Sequence, residues 1–315
     1  MLVYFCSDVH ASDRCWKKFL NSAAFYEADV IIMGGDLTGK FVVPIVEGEG
    51  GRYSANFLGV ERTVEDEESL KVLKRRIADA GQYAFVTTPD ERDWLAEDQH
   101  RVDALFKRLT LARVDDWISQ AEDRFKNSAT RVFASAANDD EIEVDALLKK
   151  STIVQDPNGQ VVDLGLGYQI MGMGWGNLTP WNCPRDTTED DLSRRIEEAA
   201  GALSNPHKTI FNLHVPPLDS GLDLAPRLDE DLRPVVDGSG SEMVSVGSTA
   251  TRNAIVKYQP LLGLHGHIHE SKGIRKLNGV PIANPGSEYG EGILNGLLID
   301  LDRKRGVRNI QHVTG

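Results

Sequence analysis

FCSDVHASD, residues 5–13, ends an apolar run that begins at Leu2 and sets a carboxylate, Asp8, two residues before an imidazole, His10. Ser12 then opens a stripe in which Trp16, Phe19, Leu20 and Ala23 share one helical face. The stretch reads as strand, turn and capped helix. Side chains two apart on a strand point to the same face. The carboxyl ends of strands in α/β sheets open on the crevice where ligands sit. Asp8 and His10 are therefore expected to reach one ion, provided that other strand ends add ligands. Alone the pair is weak, because Asp and Ser at such a place also cap helices.

Moving outward, Val30–Met33 reads as a second buried strand that stops at Gly34-Gly35-Asp36, which gives a βαβ start and a parallel sheet. After Asp36 the pattern changes. Phe41–Val46 and Arg52–Leu58 flank EGEGG as a hairpin. Thr63 with Asp66 resembles a capping box, followed by a stripe of Leu70, Leu73 and Ile77 that ends at Gly81. From Asp90 to about Phe125 the apolar spacing of three or four predicts one long helix or two joined helices, with a break near Leu109–Val114. The aromatic residues there read as packing. Residues 41–130 are expected to form an inserted hairpin and helical cap within a single domain spanning 1–315.

The alternation resumes at RVFASA, residues 131–136, which leads to Asn138-Asp139-Asp140. YQIMGMG leads into a loop, TIFNL ends at His214, PLLGL ends at HGHIH (265–269), VPIAN ends at Pro285-Gly286-Ser287, and ILNGLLIDL reads as a late antiparallel strand. Five strand ends thus carry metal-type side chains: Asp8 with His10, Asp36, Asn138, His214, and His267 with His269. Each is individually deniable. Together they point to a metal centre, and the mixture of oxygen and imidazole donors suits Mn, Fe, Zn, Ni or Co better than Ca or Mg.

Composition narrows the function classes. At 315 residues and 41% hydrophobic the chain buries a large core. A net charge of −13 argues against broad nucleic-acid binding. No apolar run approaches the roughly 20 residues of a membrane helix. Strand-like sequence from Leu2 without a basic leader, and three cysteines without paired spacing, predict a cytoplasmic protein.

The motif series DVH, GDLTGK, ANDD, NLHVPP and GHIH resembles that of the calcineurin-like metallophosphoesterases, whose pattern is D-x-H, G-D-x-x-D, G-N-H-[DE], H and G-H-x-H in that order. The resemblance spans the whole chain. It implies an α/β two-sheet sandwich flanked by helices, with the site at the strand ends. It also implies a ligand set: Asp8, His10, Asp36 and His269 for one ion, and Asp36, Asn138, His214 and His267 for the second, with Asp36 bridging. Two divalent ions are expected, with manganese favoured. Such a pair shares a bridging hydroxide as nucleophile and screens the phosphate charge.

Departures from the pattern narrow the activity. The final acidic residue of G-D-x-x-D is missing here, where Gly39 and Lys40 stand. The arginine and GNHE of the family's protein phosphatases are missing too, which argues against phosphoprotein substrates. Asp139 replaces the histidine that usually protonates the leaving oxygen. It is expected either to take a catalytic role with a raised pKa or merely to cap a helix beginning near Asp140. ANPGSEYG resembles a loop of the small phosphodiesterases, so Ser287 and Tyr289 are candidates to face substrate. The expected activity is hydrolysis of a small, nucleotide-like or other phosphodiester. A nuclease and a catalytically silent scaffold are the alternatives, and a homo-oligomer through the insert stays open.

Overall fold

The computed structural model describes residues 1–238 and 240–315. Leu2–Cys6 and Val30–Met33 pair in parallel, from Val3 opposite Val30 to Cys6 opposite Met33. They sit in a six-stranded sheet ordered Gly306–Thr314, Asn295–Asp302, Leu2–Cys6, Val30–Met33, Arg131–Ala134 and Val154–Gln155. Asn295–Asp302 joins Leu2–Cys6 antiparallel, as expected. A second six-stranded sheet runs Gly273–Leu277, Val280–Asn284, Leu262–Leu264, Thr209–Leu213, Tyr168–Met173 and Val161–Gly165.

Strand periodicity explains how the sheets stack. Val3 and Phe5 point between the sheets, where they meet Ile170, Ile210 and Leu264. Tyr4 and Cys6 point the other way, onto Trp16 and Phe19 of the helix Asp13–Phe25. Ser12 caps that helix, its Oγ accepting from the Cys15 N–H at 3.3 Å. The outer face of the second sheet is covered by Glu189–Ala200 and Thr249–Tyr258, through Leu192, Ile196, Ala254 and Ile255. The expected two-sheet α/β sandwich is the architecture found.

The insert is narrower than the expected 41–130. Val42–Glu47, Tyr53–Phe57 and Val60–Val64 are joined by a strand that the sequence reading missed, Tyr83–Thr87, which runs parallel to Val42–Glu47. With the helix Glu67–Asp79 they enclose a small core of their own, including Ile45, Phe57, Leu70, Leu73 and Ile77. That helix is capped by Asp66, whose carboxylate accepts from the Ser69 N–H at 2.7 Å, while Thr63 lies in the preceding strand and forms no capping box.

The helical region does divide in two, Pro89–Ala96 and Gln99–Phe125, but at Asp98 and not near Leu109–Val114. Asp98 accepts from the His100 N–H and starts the second helix afresh. Gln99–Phe125 then belongs to the main sandwich. Trp117 stacks on Trp16 with ring centroids 4.7 Å apart, and its Nε1–H donates to Asp13 at 2.7 Å. Val114, Ile118, Ala121 and Phe125 join the same core. Trp94, expected in that stripe, is half exposed, with the Arg101 guanidinium over its ring.

Candidate metal centre

All seven sequence-selected ligand positions converge at the carboxyl ends of the parallel strands. Asp8, His10 and His269 bring one donor atom each within 4.8 Å of one another, as do Asp36, His214 and His267, and as do His10, Asp36 and Asp139. Asn138 Oδ1 lies 2.9 Å from His267 Nδ1. The Asp36 Oδ2 atom stands 3.7 Å from His10 Nε2 and 3.3 Å from His214 Nε2, so one carboxylate lies between the two halves of the cluster.

Strand alternation does not produce this convergence. Leu2–Cys6 ends before Asp8, and the chain beyond it turns through left-handed backbone. Asp8 has φ 58°, His10 38°, Asp36 51° and His267 64°. For residues with a Cβ this conformation is costly, and its concentration at a cluster of donors is the pattern expected where function sets the backbone. Two glycines make room. Gly35 holds φ +147° with its Cα beside His214, where a Cβ would stand 2.7 Å from the ring nitrogen. At Gly266 a Cβ would run into Asp8 Oδ2 and Ser7 Oγ, so the HGHIH turn closes on Asp8 only without one.

The donor chemistry fits cations. His10 Nδ1 faces the Thr38 carbonyl at 3.2 Å, which fixes the proton there and turns the Nε2 lone pair inward. Inward it meets His269 Nε2 at 3.1 Å. Two ring nitrogens facing each other with Asp8 Oδ1 3.4 Å from His269 form a natural cation cradle. His214 is buried with neither ring nitrogen hydrogen bonded, an arrangement that costs free energy unless something occupies the ring.

Electrostatics agree. Burial, then the neighbouring imidazole, pushes His10 and His267 down to about 3, which leaves them neutral and ready to donate lone pairs. Burial pushes the Asp36 carboxyl up to about 7 against the pull of His214. Burial pulls His214 down as well, but the Asp36 and Asp8 carboxylates outweigh it and raise it to about 9. Asp8 is held well below the usual carboxylate range, burial being overcome by His214, His269 and His10. A cluster that retains protons between buried carboxylates and imidazoles is one that a divalent ion can displace them from.

Three sequence expectations are corrected. Asp139 caps nothing, because the next helix is Val144–Leu148, with Glu143 at its cap position. Nor is Asp139 a protonated acid. Burial notwithstanding, His10 and Lys40 hold it down to about 2, and Lys40 Nζ lies 2.5 Å from its carboxylate. Ser287 does not offer its hydroxyl to substrate, since Oγ donates to the Asp8 carbonyl at 2.6 Å and so fixes the first ligand loop. Tyr289 does border the cluster, with its ring 4.7 Å from His10 and 6.0 Å from His269.

Sequence reasoning missed Asp140. Its buried carboxylate accepts from the N–H groups of Leu37, Thr38 and Ala137 and from Thr38 Oγ1, at 2.7 to 3.1 Å. It ties the Asp36 loop to the Asn138 loop. The only signal was a second Asp in ANDD. Asp140→Ala is expected to cost about 3 kcal/mol or more, because it strands buried donors that bonded a charged acceptor. Urea unfolding of the ion-free protein checks this, and a loss under 1 kcal/mol would remove Asp140 from the clamp role.

No protein-family model matches the chain. An uncharacterized protein of Methanocaldococcus jannaschii, MJ1162, is 30% identical over 119 residues, which cover 37% of this chain and 47% of that protein. The chain thus matches about half the length of that curated relative. One crystal structure superposes with a TM-score of 0.55 at 13% identity, covering 99% of this chain and 98% of its own. The structure of TT1561 from Thermus thermophilus superposes with a TM-score of 0.53 at 12% identity, covering 100% of this chain and 97% of its own. These likenesses concern the fold. With two stacked six-stranded sheets, flanking helices and an Asp/His/Asn cluster at the strand ends, the chain is a two-sheet α/β sandwich similar in fold to these two structures.

Proposed function

We propose that this protein is a metal-dependent phosphoesterase acting on a small phosphodiester in preference to a monoester. The observation that carries the reading is the shared Asp36 carboxylate, set between a His10/His269/Asp8 group and a His214/His267 group whose donors have too few partners of their own. Asp8, His10, Asp36 and His269 would hold one divalent ion, and Asp36, Asn138, His214 and His267 the second. Manganese is favoured, with iron, zinc, nickel or cobalt as alternatives. Bound, such ions activate water and offset phosphate charge.

The chain's own groups do the rest. Ser287 and Asp140 hold the ligand loops in register. The Asn138 side chain adds a neutral oxygen, which limits the negative charge that meets an anionic substrate. Lys40 is half exposed beside the cluster, anchored by Asp139, and its ammonium is the cation placed to take a phosphate oxygen. The acidic surface disfavours a nuclease role, and among the described residues no helix is long and apolar enough to cross a membrane. Cys6, Cys15 and Cys183 as free thiols suit the reducing cytoplasm that we assign to it.

The test is turnover of bis-p-nitrophenyl phosphate against p-nitrophenyl phosphate with manganese. The diester is expected to be the better substrate, and turnover is expected to vanish with chelator and return with metal. Chelator-insensitive turnover, or none of either ester by a protein that binds metal, would overturn the reading.

A further inference from the structure

A cleft of about 810 Å³ opens from the cluster, with Asp36, Asn138, His267 and His269 on its floor. Its walls are not the insert. Among the described residues none from 41–130 lines it, so the expected cap over the crevice is not where the insert sits. The Gly81 turn of the insert instead lies against the His10 carbonyl and the Tyr289 ring, behind the ligands. The walls come from residues 177–183 and from residues 225–234 and 244–247, none of which the sequence reading singled out.

These segments are unusually apolar for exposed chain. Leu178 is 64% exposed and Trp181 62%, and Leu232 on the facing wall is 44% exposed. Apolar side chains gathered on both sides of a cleft mark a ligand surface. Polar groups are spaced among them: Asn177, Thr179, Ser245 and Glu270 also line the cleft, and the Asn177 Oδ1 has no partner within the chain.

Resting on the phosphoesterase reading above, we propose that this cleft is the subsite for the organic group of the substrate and that it takes a planar ring with polar edges, of the nucleobase type. Trp181 and Pro180 supply flat faces for stacking. The Asn177 Oδ1, which has no partner within the chain, is an acceptor for a donor on the ring edge. An acyl chain would fill the apolar part but would leave the Asn177 Oδ1 without a partner, a desolvation cost without return. The phosphate then lies on the cluster and Lys40, one end of the cleft away.

The experiment compares two diesters with the same leaving group, thymidine 5′-(p-nitrophenyl phosphate) and methyl p-nitrophenyl phosphate, with the decyl ester as a third. The thymidine ester is expected to exceed the methyl ester in kcat/KM. Trp181→Ala is expected to reduce that ratio about tenfold, the scale of one base stacked on an aromatic ring, whereas Trp94→Ala on the insert leaves it unchanged. A decyl ester preferred over the thymidine ester, or a ratio insensitive to Trp181→Ala, would overturn the ring subsite. Calorimetric titration of thymidine 5′-monophosphate into the manganese-loaded protein keeps the two readings apart. Binding weakened by Trp181→Ala in a protein without turnover would sustain the subsite while the hydrolase reading falls. Turnover of the methyl ester without any ring preference would do the reverse.

Discussion

Asp36→Asn is expected to reduce activity by more than the roughly 100-fold that losing an outer partner of a metal ligand costs, and to lower metal content at both positions together. The variant should nevertheless fold. Asparagine tolerates the left-handed backbone that Asp36 adopts. Its Oδ1 can still accept from the Asp139 N–H, which bonds Asp36 at 3.1 Å. What changes is the other atom. The Oδ2 that faces both His10 and His214 becomes an NH₂ group, which donates and cannot bridge cations. Removing a carboxyl that burial already pushes up to about 7 also relieves the ion-free cluster, so the melting temperature without metal should hold or rise. Elemental analysis, thermal unfolding with and without chelator, and kcat/KM on the diester check the three parts. Full metal occupancy in this variant would remove Asp36 from the bridging position.

The sequence made the strand ends legible because short apolar runs that stop at Asp, Asn or His leave little ambiguity. Leu2–Cys6, Val30–Met33 and Thr209–Leu213 fall where the runs fall. The reason offered for Asp8 and His10 was incomplete. Two-residue alternation puts side chains on one face only within a strand, and these two lie beyond it, aimed by positive φ that periodicity cannot reveal. The long helix shows a different limit. Its apolar spacing was readable, but spacing does not say which core a helix serves. The stacking of Trp117 on Trp16 assigns Gln99–Phe125 to the sandwich and leaves the insert as a sheet of its own. Tyr83–Thr87 was missed because its pairing partner lies some forty residues upstream, beyond any local pattern. The cleft walls were unreadable for a related reason. Residues 177–183, 225–234 and 244–247 are irregular segments with only short strands, and their apolar side chains gain meaning only when the fold sets them on either side of the cluster.

His214→Ala should remove the second ion preferentially, so that metal content falls by about half and the residual ion remains with Asp8, His10 and His269. The imidazole is buried at the end of Thr209–Leu213, 3.3 Å from Asp36 and 3.7 Å from Asp8, with no hydrogen bond at either nitrogen. In the ion-free protein it is the positive partner of those carboxylates, raised to about 9 from the ordinary histidine value of about 6.5. The sign follows from linkage. A raised histidine stabilises the ion-free fold fully below its unfolded value, and that contribution is lost as pH rises through about 9. A cation must displace the same proton, so metal affinity should tighten as pH rises across that window, and the alanine variant should show a flatter dependence on both counts. His207→Ala is the control. His207 is exposed, bonded through Nδ1 to the Gln259 carbonyl, and far from the cluster in its partners, so its loss should leave metal content and turnover unchanged. Metal titrations at pH 6, 7 and 8 with chelator-stripped protein read the difference. Equal metal content in His214→Ala and wild type, or inactivation by His207→Ala alone, would move the second ion to another set of ligands.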